Sequence, residues 1–306
     1  MLHKRVEKLM GNRFEISVVG PDENWCSEKI NLAIEEIQRI ERLLTTFSNE
    51  SITFEINENA GIQPVKVPEE VFSLIQRCQM LSKMTQGAFD ISYGGIDKKF
   101  WNFDLKMTAL PDAEAAKKSV ELINYENIIL NEAEKTVFLK KKGMRIGFGG
   151  IGKGYAAEMA KKKLLENGVE NGIVNAAGDL TTWGHQENGE PWTIGVADPN
   201  LRTSTFSTFQ ITNTSVATSG NYEKFVMIDN KKYSHTIDPK TGFPVSGIKS
   251  VTIIAENAEI ADALATPVTV MGIEVGLDFI NQLKHIGCII IDDYDRKYFS
   301  DNIKLT

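Results

Sequence analysis

Polar and apolar residues alternate over residues 10–19, Met-Gly-Asn-Arg-Phe-Glu-Ile-Ser-Val-Val, and predict a first strand closed by Gly20-Pro21-Asp22. Over 27–44 the period lengthens. Ile30, Ala33, Ile34, Ile37, Ile40, Leu43 and Leu44 fall on one face of a helix. Residues 45–51 are polar loop chemistry with one aromatic, Phe47, set among them. Val67-Pro-Glu-Glu opens a helix to about Thr85, with proline and acids in its first turn. A glycine-rich loop follows at 86–95, then an irregular apolar bridge at 97–111 carrying Phe100, Trp101 and Phe103. Asp112 caps a short helix to 120. Strands near 126–131 and 135–140 lead to a second glycine run and a helix that ends near Gly168. Residues 171–180 read as a short buried strand that breaks into a turn at Ala177-Gly178-Asp179. Further strands are expected at 192–197, 206–212, 215–218, 223–228, 249–255, 286–292 and 296–299, with a turn at Gly220-Asn221. Residues 258–271 start as a helix, which Pro267 is expected to kink or end.

No repeat, low-complexity tract or Pro/Gly/Ser-rich linker interrupts the 306 residues, so a single unit over 1–306, two-lobed at most, is expected. Hydrophobic content of 42% and charged content of 25% describe a globular chain. A net charge of −7 argues against a general binder of nucleic acid or anionic membrane. Cys26, Cys78 and Cys288 are too far apart for a zinc pattern or a disulfide framework. The first 17 residues place charges where a signal peptide needs an apolar core, and no lipobox-like cysteine is near. As written, the chain is expected in the cytosol; a form whose leader had been removed would look the same.

The densest chemistry is at 147–158, Gly-Phe-Gly-Gly-Ile-Gly-Lys-Gly-Tyr-Ala-Ala-Glu. Strand, glycine loop and helix start are the ingredients of an anion site, with free N–H groups, a positive dipole end and the charge of Lys153. Two short patterns match in part. Gly147, Gly152 and Lys153 satisfy a phosphate loop except at its last position, where Gly154 replaces the magnesium-binding Ser or Thr. Gly147, Gly149 and Gly152 satisfy G-x-G-x-x-G, with Asp179 a loose candidate for the ribose acid, although the loop lies mid-chain. A loop that only packs a helix onto a strand stays open.

Three other places carry chemistry. Asp90 either caps a helix or binds a ligand. Tyr-Ser-His-Thr-Ile-Asp-Pro-Lys-Thr-Gly-Phe-Pro at 233–244 holds His235 in a turn-rich stretch, where function concentrates. Asp262 and Thr266 are four apart, so a carboxylate and a hydroxyl face one side of a helix turn, an arrangement suited to a hard cation such as Mg²⁺.

In combination and order, GGIGKGYA at 149–156, TSGNY at 218–222, YSHTIDPKTGFPV at 233–245 and ADALAT at 261–266 resemble the ApbE family of FAD:protein FMN transferases. The resemblance runs from about Met10 to the final strand. It implies an α+β fold of mixed, largely antiparallel sheets with flanking helices, and a central FAD cleft between two lobes. It implies Mg²⁺-dependent transfer of FMN from FAD to a threonine hydroxyl of a partner protein, leaving a phosphoester and AMP. Asp262, Thr266 and the Gly150 carbonyl would hold the metal, and Lys153 would meet the pyrophosphate. Met10, Phe47, Ala88, Phe89 and Asp90 would line the flavin and adenosine site, with Gly147 and Thr236 also touching the dinucleotide. His235 would accept the threonine proton; an imidazole of ordinary pKa, about 6.5, suits that task near neutrality.

Three features depart from the family pattern. Gly147 stands where the family usually has Asp, in a D-L-G-G pattern. Asn175-Ala-Ala-Gly-Asp replaces N-A-G-G-D, and the export signal of many members is missing. Two rivals share the same residues: a hydrolase splitting FAD to FMN and AMP with water, and a flavin-binding module without catalysis.

Overall fold

The computed structural model describes residues 1–96, 109–197, 205–220, 225–228 and 231–303. Its frame is an eight-stranded sheet in the order β1-β2-β6-β7-β10-β13-β14-β15, with each pairing antiparallel. β1 (Leu2–Leu9) and β2 (Asn12–Val19) form a hairpin in unbroken register from Leu2↔Val19 to Leu9↔Asn12. Met10 and Gly11 turn it with φ of 50° and 71°, the paired left-handed geometry that matches strand twist. The first strand was expected only from Met10. The charges of Lys4, Arg5, Glu7 and Lys8 hide β1 from a hydropathy reading, because it is an edge strand that sits mostly in solvent.

β2 pairs with β6 (Gly172–Ala176), which turns back through Ala177 and Gly178 into β7 (Asp179–Trp183). Next come β10 (Ser215–Gly220), β13 (Ile248–Ala255), β14 (Gly287–Asp292) and β15 (Lys297–Phe299). β3 (Val65–Lys66), β5 (Thr136–Leu139) and β4 (Ile128–Asn131) make a separate antiparallel sheet. β8 (Trp192–Ala197) with β9 (Thr205–Ile211), and β11 (Phe225–Ile228) with β12 (Lys231–Ser234), are two-stranded ribbons. The expected bridge at 97–111 lies largely outside the described residues, as do Asn221 and Tyr222 of TSGNY and the start of the strand expected at 223.

α1 (Glu23–Leu44) buries Cys26, Ile30, Ala33, Ile37, Ile40 and Leu44, a stripe spaced four and three residues apart. Each buried Ile or Leu contributes roughly 1.5–3 kcal/mol. The helix starts four residues before the expected Ser27, because Asp22 caps it by accepting the Trp25 N–H at 2.9 Å. α3 (Glu69–Met84) and α4 (Ala113–Ser119, capped by Asp112) lie where expected. α2 (Ile52–Glu58) and α7 (Ile273–Asn281) were not expected. α2 is short, its apolar residues Ile52, Phe54 and Ile56 alternate with polar ones as in a strand, and Ser51 caps it.

α5 (Gly152–Glu166) and α6 (Ala258–Met271) pack together, α5 against α1 and β6, and α6 against β10 and β13. Pro267 lies inside α6, which continues to Met271 and stops at Gly272 with φ 84°. The packed face of α6 outweighs the hydrogen bond that proline removes. Buried side chains form a large cluster between α1, α3, α5 and the β2–β6 region, and a second beneath α6 and α7 against β13 and β14. Among the described residues no helix is long and apolar enough to cross a membrane.

Candidate active site

The glycine-rich stretch does not continue a strand. β5 ends at Leu139 in its own antiparallel sheet, and residues 144–146 are held by a side chain instead. Asn57 of α2 donates Nδ2 to the Ile146 carbonyl at 3.0 Å, and its Oδ1 accepts the Ile146 N–H at 2.7 Å. The Gly147 N–H then donates to the Ile91 carbonyl at 2.8 Å. A buried amide imitates a strand neighbour, so the βαβ geometry of a dinucleotide fold is absent here.

α5 begins at Gly152 with no side-chain cap from its own chain end. Asp262, 108 residues on, supplies one: its Oδ2 accepts the Gly154 N–H at 2.9 Å. The expectation of free N–H groups at this helix start is corrected to that extent, since a carboxylate from α6 already holds one. A Cβ on Gly154 would sit 2.2 Å from the Ala258 carbonyl oxygen and 2.7 Å from the Asp262 Cβ. The serine that would complete a phosphate loop has no room. Gly154→Ser is expected to destabilise the protein by about 3 kcal/mol, as overpacking against backbone does. An unchanged urea midpoint would refute this packing.

Lys153 lies between two buried carboxylates. Its Nζ donates to Asp179 Oδ2 and is 3.7 Å from Asp262 Oδ1. Asp179 Oδ1 also accepts the Thr218 N–H at 3.2 Å. Asp179 was weighed only as a ribose acid, and that role is corrected: it faces Lys153 across the sheet end. The pattern that could have found it is Asn-Ala-Ala-Gly-Asp, a turn delivering an acid to a strand start. Ala177 adopts φ 55° in that turn, a conformation that costs a residue with a Cβ about 1–2 kcal/mol.

Burial pushes the Asp179 carboxyl up to about 7, with the Asp262 charge adding and Lys153 opposing. Burial also raises Asp262 against Lys153 and the Gly154 N–H. Burial alone would lower Lys153, but the two carboxylates outweigh it and raise it. An acid whose folded pKa exceeds its unfolded value of 3.8 keeps its proton in the fold while the unfolded chain releases it. Asp179 therefore withdraws stability as pH rises above its unfolded value toward the raised folded one, and nothing more beyond that. In chelator, urea midpoints of the wild-type protein are expected to fall relative to Asp179→Asn across that interval; parallel profiles would contradict this.

Two cavities meet at this cluster. One, of about 350 Å³, has apolar walls from Ala88, Phe89, Ile91, Tyr93, Ile237, Pro239 and Val270, and also touches Asp90, Gly147 and Thr236. The other, of about 530 Å³, is polar and holds Asn12, Lys153, Ala177, Asp179, Thr218 and Asp262. Gly149, Gly150, Ser219, His235 and Thr266 line both. His235 is exposed at that shared wall, directly after β12. The structure thus brings together Gly150, Lys153, His235, Asp262 and Thr266.

Ala88, Phe89, Asp90, Gly147 and Thr236 lie in the adjoining first cavity. Asp90 is spoken for: Oδ1 accepts from the Ser92 N–H and hydroxyl at 2.8 and 2.6 Å, and Oδ2 from the Tyr125 N–H at 2.7 Å. It caps the short 3-10 turn Ile91–Gly95 and also lines the wall of the first cavity. Asp238 shapes a turn by accepting from the Lys240 N–H and the Thr241 hydroxyl. Met10 and Phe47 line neither cavity. Met10 Cε lies 3.7 Å from where a Gly152 Cβ would be, and Phe47, 98% exposed, follows Thr46, whose Cγ2 lies 3.8 Å from a Gly147 Cβ position. Gly147 itself has ordinary room for a side chain, so packing does not demand glycine there.

The sequence model of the ApbE family matches residues 10–290. A FAD:protein FMN transferase of Klebsiella pneumoniae (strain 342) is 32% identical over 285 residues, 92% of this chain and 87% of that protein. One of Treponema pallidum (strain Nichols) is 27% identical, over 94% of this chain and 84% of that protein. The crystal structure of the ApbE protein of Thermotoga maritima is similar with a TM-score of 0.88 and 29% identity, over 98% and 97% of the two chains. The flavin transferase ApbE from Vibrio cholerae has the same fold, with a TM-score of 0.85 at 22% identity over 98% and 97% of the chains.

Proposed function

Since the chain belongs to the ApbE family, we propose that it is an FAD:protein FMN transferase working at the junction of the two cavities. The observation that carries this reading is the shared wall. It sets an apolar chamber suited to a flat ring system beside a polar chamber with an ammonium, buried carboxylates and an exposed imidazole. The pyrophosphate of FAD would cross between them at Lys153.

In the reaction, a threonine hydroxyl of the acceptor attacks the phosphorus on the FMN side of the pyrophosphate. The P–O bond to AMP breaks, a phosphoester forms, and AMP departs. His235 takes the hydroxyl proton, a contribution of about 10²–10⁴-fold for a placed base. Lys153 faces the charge that develops on the phosphate oxygens.

The donor chemistry fits Mg²⁺. The Asp262 carboxylate and the Thr266 hydroxyl sit one helix turn apart, and Thr266 Oγ1 is 3.9 Å from a Cβ position on Gly150, whose carbonyl would be the third oxygen. Among the described residues no three His, Cys, Asp or Glu side chains form a closed metal cage. Few protein oxygens, with water and phosphate completing the shell, is how Mg²⁺ is usually held. When bound there it neutralises phosphate oxygens.

The test is intact-mass analysis of candidate flavoproteins incubated with the enzyme, FAD and Mg²⁺. An FMN-sized addition on a threonine, with AMP released in equal amount, is expected. AMP without any protein adduct would replace transfer by hydrolysis, and FAD binding without AMP would leave a flavin-binding protein.

A further inference from the structure

Asp179 sits where the main sheet opens. β7 and β10 pair only at Ser215↔Thr181 and Val216↔Leu180. One residue on, β7 is at its terminus, Asp179, while β10 runs on to Gly220, and the polar cavity borders this gap, lined by Asp179, Thr218 and Ser219. The Asp179 carboxylate spans the gap, taking the Thr218 N–H on one oxygen and the Lys153 ammonium on the other. Its side chain is 4% exposed, that of Asp262 8%, and that of Lys153 28%. One ammonium therefore serves two buried carboxylates, and it makes its hydrogen bond to Asp179 while standing off Asp262 at 3.7 Å.

That asymmetry has a consequence for metal binding. A lysine ammonium and a divalent cation compete for the same carboxylate, and in a buried site neither charge tolerates the other without a separate counter-ion. Resting on the transferase reading above, we infer that Asp179 is a positioning residue: it draws the Lys153 ammonium aside, leaving Asp262 open to a hard cation and the ammonium at the cavity wall for the pyrophosphate. Without Asp179, Lys153 closes onto Asp262 and blocks the cation. A carboxylate that merely braced the parted strands would have no such link to Lys153.

The experiment is a double-mutant cycle read by binding alone. Mn²⁺, an oxygen-preferring stand-in for Mg²⁺, is titrated into FAD-free protein, and free Mn²⁺ is followed by its EPR signal. Asp179→Asn keeps an oxygen for the Thr218 N–H and is expected to weaken Mn²⁺ binding about 10–100-fold, the usual cost of losing a group that supports a metal ligand. Lys153→Met is expected to bind at least as tightly as wild type. Lys153→Met/Asp179→Asn is expected to recover to within about threefold of Lys153→Met, because the competitor is gone. Wild-type affinity in Asp179→Asn, or a double variant as weak as Asp179→Asn, overturns the inference and leaves the transferase reading standing. A wild-type protein that binds no Mn²⁺ removes the metal site itself, and this inference with it.

Discussion

Asp262→Asn is expected to slow FMN transfer about a thousandfold while the protein stays folded. The two halves of that expectation come from the two oxygens of one side chain. Oδ2 caps α5 through the Gly154 N–H at 2.9 Å. Asparagine keeps an oxygen for that bond, so the helix start stays satisfied. What it loses is the charge that faces Lys153 and would hold Mg²⁺. Neutralising phosphate oxygens is worth several kcal/mol in the transition state, and at 1.36 kcal/mol per decade that is roughly 10³-fold. Alanine would confuse the result, because it also strands a buried N–H at a cost of about 1–3 kcal/mol. Single-turnover transfer and a thermal melt on the same preparation separate the two. Transfer at the normal rate in Asp262→Asn would dismiss the metal assignment.

His235→Ala is expected to slow transfer by about 10²–10⁴-fold with FAD affinity little changed. His235 is exposed, so its removal opens no void in either hydrophobic cluster. It stands at the wall common to both cavities, where an acceptor hydroxyl entering from the polar side would meet a phosphorus. A base acts only as the proton moves, so its loss belongs in the rate and not in binding. Equal losses in rate and FAD binding would make His235 a binding residue, and an unchanged rate would take it out of the reaction.

Much of the architecture was legible where burial repeats at a fixed spacing. The stripe of α1, the short helix capped by Asp112 and most of the later strands lie within a few residues of where the hydrophobic pattern puts them. Two of the misses, β1 and α2, lack a local signal of their own type. β1 is a charged edge strand, and α2 alternates apolar and polar residues as a strand would. β1 is held by its hairpin partner β2, and α2 in part by the bonds of Asn57 to Ile146, 89 residues on. Propensity over a short window does not register such partners. Pro267 shows the converse, a strong local signal overridden by packing on both sides of α6.

The candidate site divides along the same line. Motif chemistry was readable because residue type and near spacing determine it. Asp262 and Thr266 face one way since a helix turn is 3.6 residues, and Lys153 follows glycines at a helix start. Which carboxylates would meet that lysine was not readable. Asp179 and Asp262 reach it from β7 and α6, 26 and 109 residues away, through contacts set by where β7 ends against β10 and how α5 rests on α6. Residue order alone carries the family pattern and the donor types. That Gly154 is a packing contact, that Asp90 caps a turn at the cavity wall, and that one ammonium stands between two buried acids follow from the folded packing. Local spacing acts within a helix turn or a strand pair, whereas burial and charge pairing depend on which surfaces the whole chain brings into contact.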